Sequence, residues 1–322
     1  MFIGELLAFL VAILWTISSL ASEKASRHYG ATTLNIIRMA QAILFIGLTL
    51  LVITGSPLPL STTPSIWVWL TLSAIVGYVI SDYYFLKCFI MIGARWGELF
   101  MTVAPISAAL TGWLLLGDKM GPLAILGMMV TIVGICLSVL SKKEDSKKLQ
   151  VKLPLNAVIY GLIGGIGQGM GLVFSKKGML IYQDQIQDMF ASEAMGSFYM
   201  SFSSTMIRCI ITFLGFVVIY LFQSRTKELR MAMPESNRLK NFFQNKRLFW
   251  LATLSTITGP FLGVALSLAS SLYTSTGVTQ TIMSTTPVLI LYPSYLLFKT
   301  KITFLEGVGA VICVIGVALF FF

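Results

Sequence analysis

Asp82 sits in "GYVISDYYFLKCFIMIG", residues 77–93, a run that reads as membrane-spanning except for this acid and Lys87 toward its far end. A carboxylate at bilayer depth costs about 3 kcal/mol even on forgiving insertion scales. Asp82 therefore needs a cationic partner or a wet cavity, and both readings stand: a salt bridge with Arg38 or Lys87, or a site for solute or proton. It shares a helix face with Tyr78 and Phe85, an aromatic wall suited to a cationic or amphipathic solute. Glu98, Thr102 and Pro105 are spaced four and three apart and fall on one face, and Gln280, Ser284 and Pro287 repeat that spacing. Each proline frees the carbonyl four residues earlier, at Met101 and Met283, which in lipid must find a neighbour or a water-filled cavity. The kinks are thus either packing features or a cavity-facing pair. Gln168, inside "YGLIGGIGQGMG", is the member of that run expected in the cavity, while Trp15 fits a cavity wall or a lipid-facing ring equally well. Arg38, about a turn and a half into its span, reads first as a residue snorkelling or capping a helix end toward the interface and second as a substrate contact.

These groups sit in a chain that has almost no water-facing surface to offer. Of 322 residues, 56% are hydrophobic and 11% charged, with a mean hydropathy of +0.85; a soluble protein carries about 25% charged residues. The class is integral membrane protein. The N-terminus lacks a basic leader region and a small-residue cleavage site, so it reads as an uncleaved first span. Cys88, Cys136, Cys209 and Cys313 all lie in apolar runs and read as small buried hydrophobes without metal or disulfide spacing. The net charge of +10 falls in loops between apolar segments, the pattern of cytoplasmic loops and not of nucleic-acid binding.

Apolar runs of about 20 residues, enough to cross the hydrocarbon core, occur ten times: near 3–22, 32–54, 66–90, 95–117, 121–140, 155–175, 192–222, 248–272, 276–298 and 303–322. The polar stretch "YQDQIQDMFASEA" before the seventh reads as an interfacial helix. At an offset of 182 residues the last three spans of each half align without gaps. Gly77 meets Gly259, Glu98 meets Gln280, Pro105 meets Pro287, Gly127 meets Gly309 and Gly134 meets Gly316; Asp82 meets Val264. A slightly different offset pairs Arg38 with Arg208. Five spans per half is odd, so the halves must cross in opposite senses. The expected fold is all-α and polytopic: ten transmembrane helices as two inverted five-helix repeats, 1–141 and 154–322, joined by a basic linker at 142–153. Such repeats place a binding site near the midplane between them. Lys and Arg cluster in the loops after spans one, three, five, seven and nine, which puts the two large linkers in the cytoplasm and both termini outside. Gly161, Gly165 and Gly169, four apart, read as close helix packing.

The stretch "PISAALTGWLLLGDKMGPLAILGMMVTIVGICLSVL" resembles the signature of the drug/metabolite transporter superfamily, specifically its EamA-type members. These carry a proline in the fourth span, an acidic end to it, and a fifth span with glycines seven apart. Asp118 takes the acidic position in the first half, while Thr300 departs from it in the second. Arg38 fits the family's second-span arginine, and Lys24 and Lys176 the basic residue that closes the first span of each half. The resemblance covers essentially the whole chain. It implies a cavity lined by spans one, three, four, six, eight and nine, with five and ten at the edge.

The expected function is a secondary active transporter, an exporter, of a small organic metabolite, amino acid or drug, working by alternating access in the cell membrane, the bacterial inner membrane. Its partners are the small-molecule substrate, the lipid bilayer and protons or another coupling ion, with no nucleic acid, and the chain acts as a monomer or homodimer. Trp15, Tyr78, Asp82, Phe85, Glu98, Thr102, Gln168, Gln280 and Ser284 are the substrate-binding candidates, and Asp82 and Glu98 the coupling pair. No cofactor or metal is expected. A channel or lipid flippase on the same fold is the alternative. An enzyme is not expected, because the single histidine, His28, sits in a loop and no paired-acid motif accompanies it.

Overall fold

The computed structural model describes residues 2–140, 154–225, 245–293 and 304–319, and among them every regular element is helical. The linker at 142–153, the second large loop and Thr300 lie outside the described residues. Among the described residues, six helices are long and apolar enough to cross a membrane: Ile3–Tyr29, Ala31–Thr54, Pro64–Ile92, Leu155–Ile186, Glu193–Gln223 and Lys246–Tyr273. Shorter apolar helices occupy Phe100–Leu116, Pro122–Gly134 and Gly307–Gly316. The outer surface is as apolar as a membrane requires, with Val52 86% and Phe304 85% exposed. The interior instead collects Arg38, Arg208, Glu98, Gln280 and many serines and threonines. This inversion follows from the solvent. Lipid tails reward apolar surface outside, and polar groups are stable only where protein or trapped water meets them.

The helices are α1 (Ile3–Tyr29), α2 (Ala31–Thr54), α3 (Pro64–Ala74), α4 (Ser81–Ile92), α5 (Ala94–Gly97), α6 (Ala104–Leu116), α7 (Pro122–Leu140), α8 (Leu155–Ile186), α9 (Glu193–Arg225), α10 (Lys246–Thr256), α11 (Leu262–Tyr273), α12 (Thr276–Met283), α13 (Thr286–Leu289) and α14 (Phe304–Ala318). A π-helical turn, Ile75–Ile80, joins α3 to α4, and a second, Ile257–Phe261, joins α10 to α11. A 3₁₀ stretch, Glu98–Val103, joins α5 to α6. The offset of 182 residues now appears in the backbone itself. Pro64 and Lys246, Ile75 and Ile257, Ala94 and Thr276, Ala104 and Thr286, and Pro122 and Phe304 are equivalent element starts. The two π turns are therefore equivalent features of the repeat, and Pro260 lies inside the second.

The proline carbonyls are met by the protein. Met101 O receives the Ala104 N–H, because the chain tightens into a 3₁₀ turn, and also the Ser284 hydroxyl at 3.0 Å. Met283 O receives the Thr286 hydroxyl at 2.9 Å. The interfacial helix expected at 182–194 is replaced by a continuation of α8 as far as Ile186, followed by a turn. Burial explains the difference: Tyr182 is fully buried and donates its hydroxyl to Leu60 O, and Ile186 is buried beside it.

Each half packs chiefly on the other. α8 lies against α3, α4 and α6, while its counterpart α1 lies against α10, α11 and α12; α2 pairs with α9, and α7 with α14. Glycines permit the close approaches. On α8, one row faces the α5–α6 segment: a Cβ at Gly161 would lie 2.2 Å from the Phe100 ring, and one at Gly165 2.3 Å from Phe100 O. The second row, Gly164, Gly167 and Gly171, faces Phe85, Val76 O and Gly77. Gly316 of α14 likewise meets Thr131 and Gly127 of α7. Two equivalent serine clasps tie the halves, Ser22 to Ser255 and Ser73 to Ser175, each at 2.6 Å.

The Gly165 contact is with backbone and has little room to yield. Gly165→Val is expected to lower the melting temperature and the monodisperse yield in detergent, at a cost of about 1–3 kcal/mol for overpacking. Gly121→Ala, where nothing lies within 4 Å, should melt like the parent. Equal stability of the two variants would contradict this packing.

Candidate functional site

The first π turn delivers Tyr78 and, one turn into α4, Asp82 and Phe85, all on the same side of the helix. Wide turns of this kind recur at functional positions because the extra residue breaks the regular ladder. These three side chains line a cavity of ≈ 70 Å³ between the halves. Trp15, Ser18, Ser19 and Ser22 of α1, Arg38 of α2, Glu98 and Met101, Gln168 of α8, and Gly259, Pro260 and Val264 line its other walls.

Asp82 is held from two sides. Its Oδ1 accepts a hydrogen bond from Gln168 Nε2 at 2.8 Å, and its Oδ2 faces Arg38 Nη1 at 3.8 Å. Arg38 is 7% exposed and also donates to Asn35 Oδ1 at 3.2 Å. Arg38 is thus a cavity residue and not the interfacial snorkelling residue its position in the span suggests. Gly259 explains how it fits: a Cβ there would lie 2.8 Å from Arg38 Nη2. Lys87 takes no part, since its ammonium lies over the Tyr83 and Tyr160 rings at 4.3 and 5.7 Å. Glu98 is buried and accepts a short hydrogen bond from the Ser19 hydroxyl. Ser18 donates to Ser255 O at 3.0 Å, so α1 presents a hydroxyl row to the cavity.

A water-sized cavity of ≈ 10 Å³ adjoins the first, lined by Arg208, Gln280, Leu172, Ser267 and Met283. The two share Trp15, Tyr78, Gln168 and Val264, which form the layer between them. By the repeat, Arg208 corresponds to Arg38, Gln280 to Glu98 and Val264 to Asp82. Thr102 and Ser284 line neither cavity; both are buried, and Ser284 closes the Pro105 kink. Arg208 is a site residue that sequence reading left without a role. Its match to Arg38 was the available signal, because equivalent arginines in two repeats occupy equivalent depths.

Each end of the bundle is fastened by a carboxylate on an equivalent backbone N–H. Glu23 Oε2 accepts the Ala94 N–H at 3.0 Å and Oε1 pairs with Arg27 at 3.1 Å. At the other end Asp118 Oδ2 accepts the Thr276 N–H and hydroxyl, both at 3.1 Å, and pairs with Lys176 at 3.3 Å. Lys176 also donates to Thr274 O at 3.3 Å. The larger cavity extends toward the Glu23 end, as Ser22 and Phe89 in its lining indicate. The Asp118–Lys176 latch crosses the opposite end.

The model of the EamA-like transporter family matches residues 2–140 and 187–322. A comparison with curated proteins finds no match. A solved structure described only as "Crystal structure of protein" is 13% identical, with a TM-score of 0.65, over 98% of this chain and 95% of its own. At that identity the likeness is one of fold alone.

Two charges this deeply enclosed are coupled energetically, because removing one leaves the other without its partner. A double-mutant cycle of Asp82→Asn and Arg38→Gln, read by thermal melting in detergent, should give an interaction of about 1–3 kcal/mol. Additive losses would mean that the pair does not act as a unit.

Proposed function

The chain belongs to the EamA-like transporter family, and we propose that it is a secondary transporter of a small organic solute. Its ten spans form two inverted five-helix repeats that alternate in exposing one central site. The observation that carries this reading is the cavity between the halves, with Arg38, Asp82, Glu98 and Gln168 in its largely apolar wall, which runs toward one end of the bundle while the Asp118–Lys176 latch closes the other. Exchanging the conformations of two equivalent repeats would close the first end and open the second. The paired π turns and the broken segments at 98–103 and 283–286 sit where such a change needs bending, since their ladders are already interrupted.

The excess of Lys and Arg places the loops after spans one and three in the cytoplasm, so the larger cavity faces inward. A solute entering there and leaving past Asp118 and Lys176 is exported. Trp15, Tyr78, Phe85 and Gln168 form its contact surface, and Asp82 and Glu98 carry the coupling proton. Both carboxyl groups line the cavity, where water and solute reach them in turn. A channel needs a continuous path, and the shared layer of Trp15, Tyr78, Gln168 and Val264 interrupts one here.

Purified protein in proteoliposomes should show counterflow, in which internal unlabelled solute drives uptake of labelled solute; a channel shows none. Asp82→Asn and Glu98→Gln, assayed below their melting temperatures, should lose pH-driven accumulation by tenfold or more yet keep exchange down the solute gradient. Full pH-driven accumulation in both variants would remove the carboxyl groups from coupling. For orientation, single cysteines at Ser146 and Ser236, in a background without the native four, should resist an impermeant maleimide in intact cells. Prompt labelling of both would reverse the topology and, with it, the direction of transport.

A further inference from the structure

Three buried cations occur among the described residues, Arg38, Lys176 and Arg208, and two of them face a carboxylate. Arg208 faces none within ion-pair distance among the described residues. The repeat explains why. Arg38 pairs with Asp82 inside the first half, and the equivalent pair in the second half would be Arg208 with residue 264, which is Val264. The second acid is lost the same way, because the equivalent of Glu98 is Gln280. The smaller cavity has thus kept its arginine and lost both acids.

The polar atoms around it are short of an acceptor. Arg208 Nε, Tyr78 Oη and Gln280 Nε2 are enclosed and have no hydrogen-bond partner, and their residues are 4%, 3% and 1% exposed. All three can donate, and buried donors are normally met. The guanidinium is held in place, with its centre 4.2 Å from the Tyr78 ring centroid. One fixed guanidinium flanked by neutral donors is a fork for a carboxylate, which it meets with two parallel hydrogen bonds. A dianion would find only one compensating charge here, with Asp82 close by.

Resting on the transporter reading above, we infer that the solute is a monocarboxylate, and that its carboxylate takes the place of the acid missing at Val264. Arg208 is its anchor, and Tyr78 Oη and Gln280 Nε2 are its neutral donors. The apolar body attached to it lies in the larger cavity, against Trp15, which lines both cavities, and Phe85. Arg208 is therefore a specificity residue that selects for negative charge.

The test compares phenylacetate with phenylacetamide, which has the same shape without the charge, on the purified full-length protein in detergent, by ligand-induced thermal stabilisation. Phenylacetate should bind at least tenfold more tightly than the amide. Arg208→Gln should abolish the preference. Val264→Asp keeps the arginine and supplies the missing acid, and should remove phenylacetate binding while folding as the parent does. The inference is overturned if phenylacetate fails to stabilise the parent at millimolar concentration, if acid and amide bind alike, or if Val264→Asp keeps the preference. These measurements need no gradient and no flux, so they separate from the carrier test. Charge-selective binding without counterflow would defeat the carrier and leave the anion seat, and counterflow without charge selectivity would do the reverse.

Discussion

Everything central to this protein depends on accommodating two arginines in the middle of an apolar bundle. A charged side chain cannot be left against lipid at this depth, so each guanidinium needs a space without side chains and groups to meet its charge. For Arg38 glycine supplies the space, and from the opposite half: a Cβ at Gly259 would lie 2.8 Å from Nη2. Glycines also let the neighbouring helices approach until backbone touches backbone, as Gly77 and Gly171 do. Charge burial and helix packing are therefore one constraint here. Neither half satisfies it alone, which is why α1 and α8 each pack on the helices of the other repeat.

Near-symmetry makes the departures from symmetry informative. The serine clasps, the π turns, the broken helices and the arginines recur, and these are the parts that bear on the scaffold and its bending. The acids do not recur: Asp82 and Glu98 are answered by Val264 and Gln280. On the transporter reading proposed above, interconversion of two states gains from equal halves, since neither state is then greatly favoured. A binding chamber gains from unequal ones, because a solute has two different ends. The latches divide in the same way. Both ends place a carboxylate on the first N–H of the broken helix, but only Asp118 bridges the two halves, through Lys176 and Thr276.

The sequence by itself determined the membrane class, the repeat and the positions of its breaks. Hydropathy and charge density follow directly from the solvent, and the match of Pro105 to Pro287 and Gly77 to Gly259 is visible at a single offset. It also singled out Asp82, Glu98, Gln168 and the aromatic pair Tyr78 and Phe85, because a polar residue in an apolar run is conspicuous. Only the tertiary structure decided which of these meet. Thr102 and Ser284 have the spacing of cavity residues yet line neither cavity, since shared face on one helix does not say which neighbour that face meets. Arg38 looked interfacial because depth along a span was judged from its distance to the nearest loop. In three dimensions Gly259, from a helix more than 200 residues away, opens the space that draws it inward. The contact of Ser22 with Ser255 and the small cavity beside Arg208 are likewise products of two halves packed crosswise. Local pattern carries the period and the chemistry of each helix, whereas partnership between helices is set by packing that no local window contains.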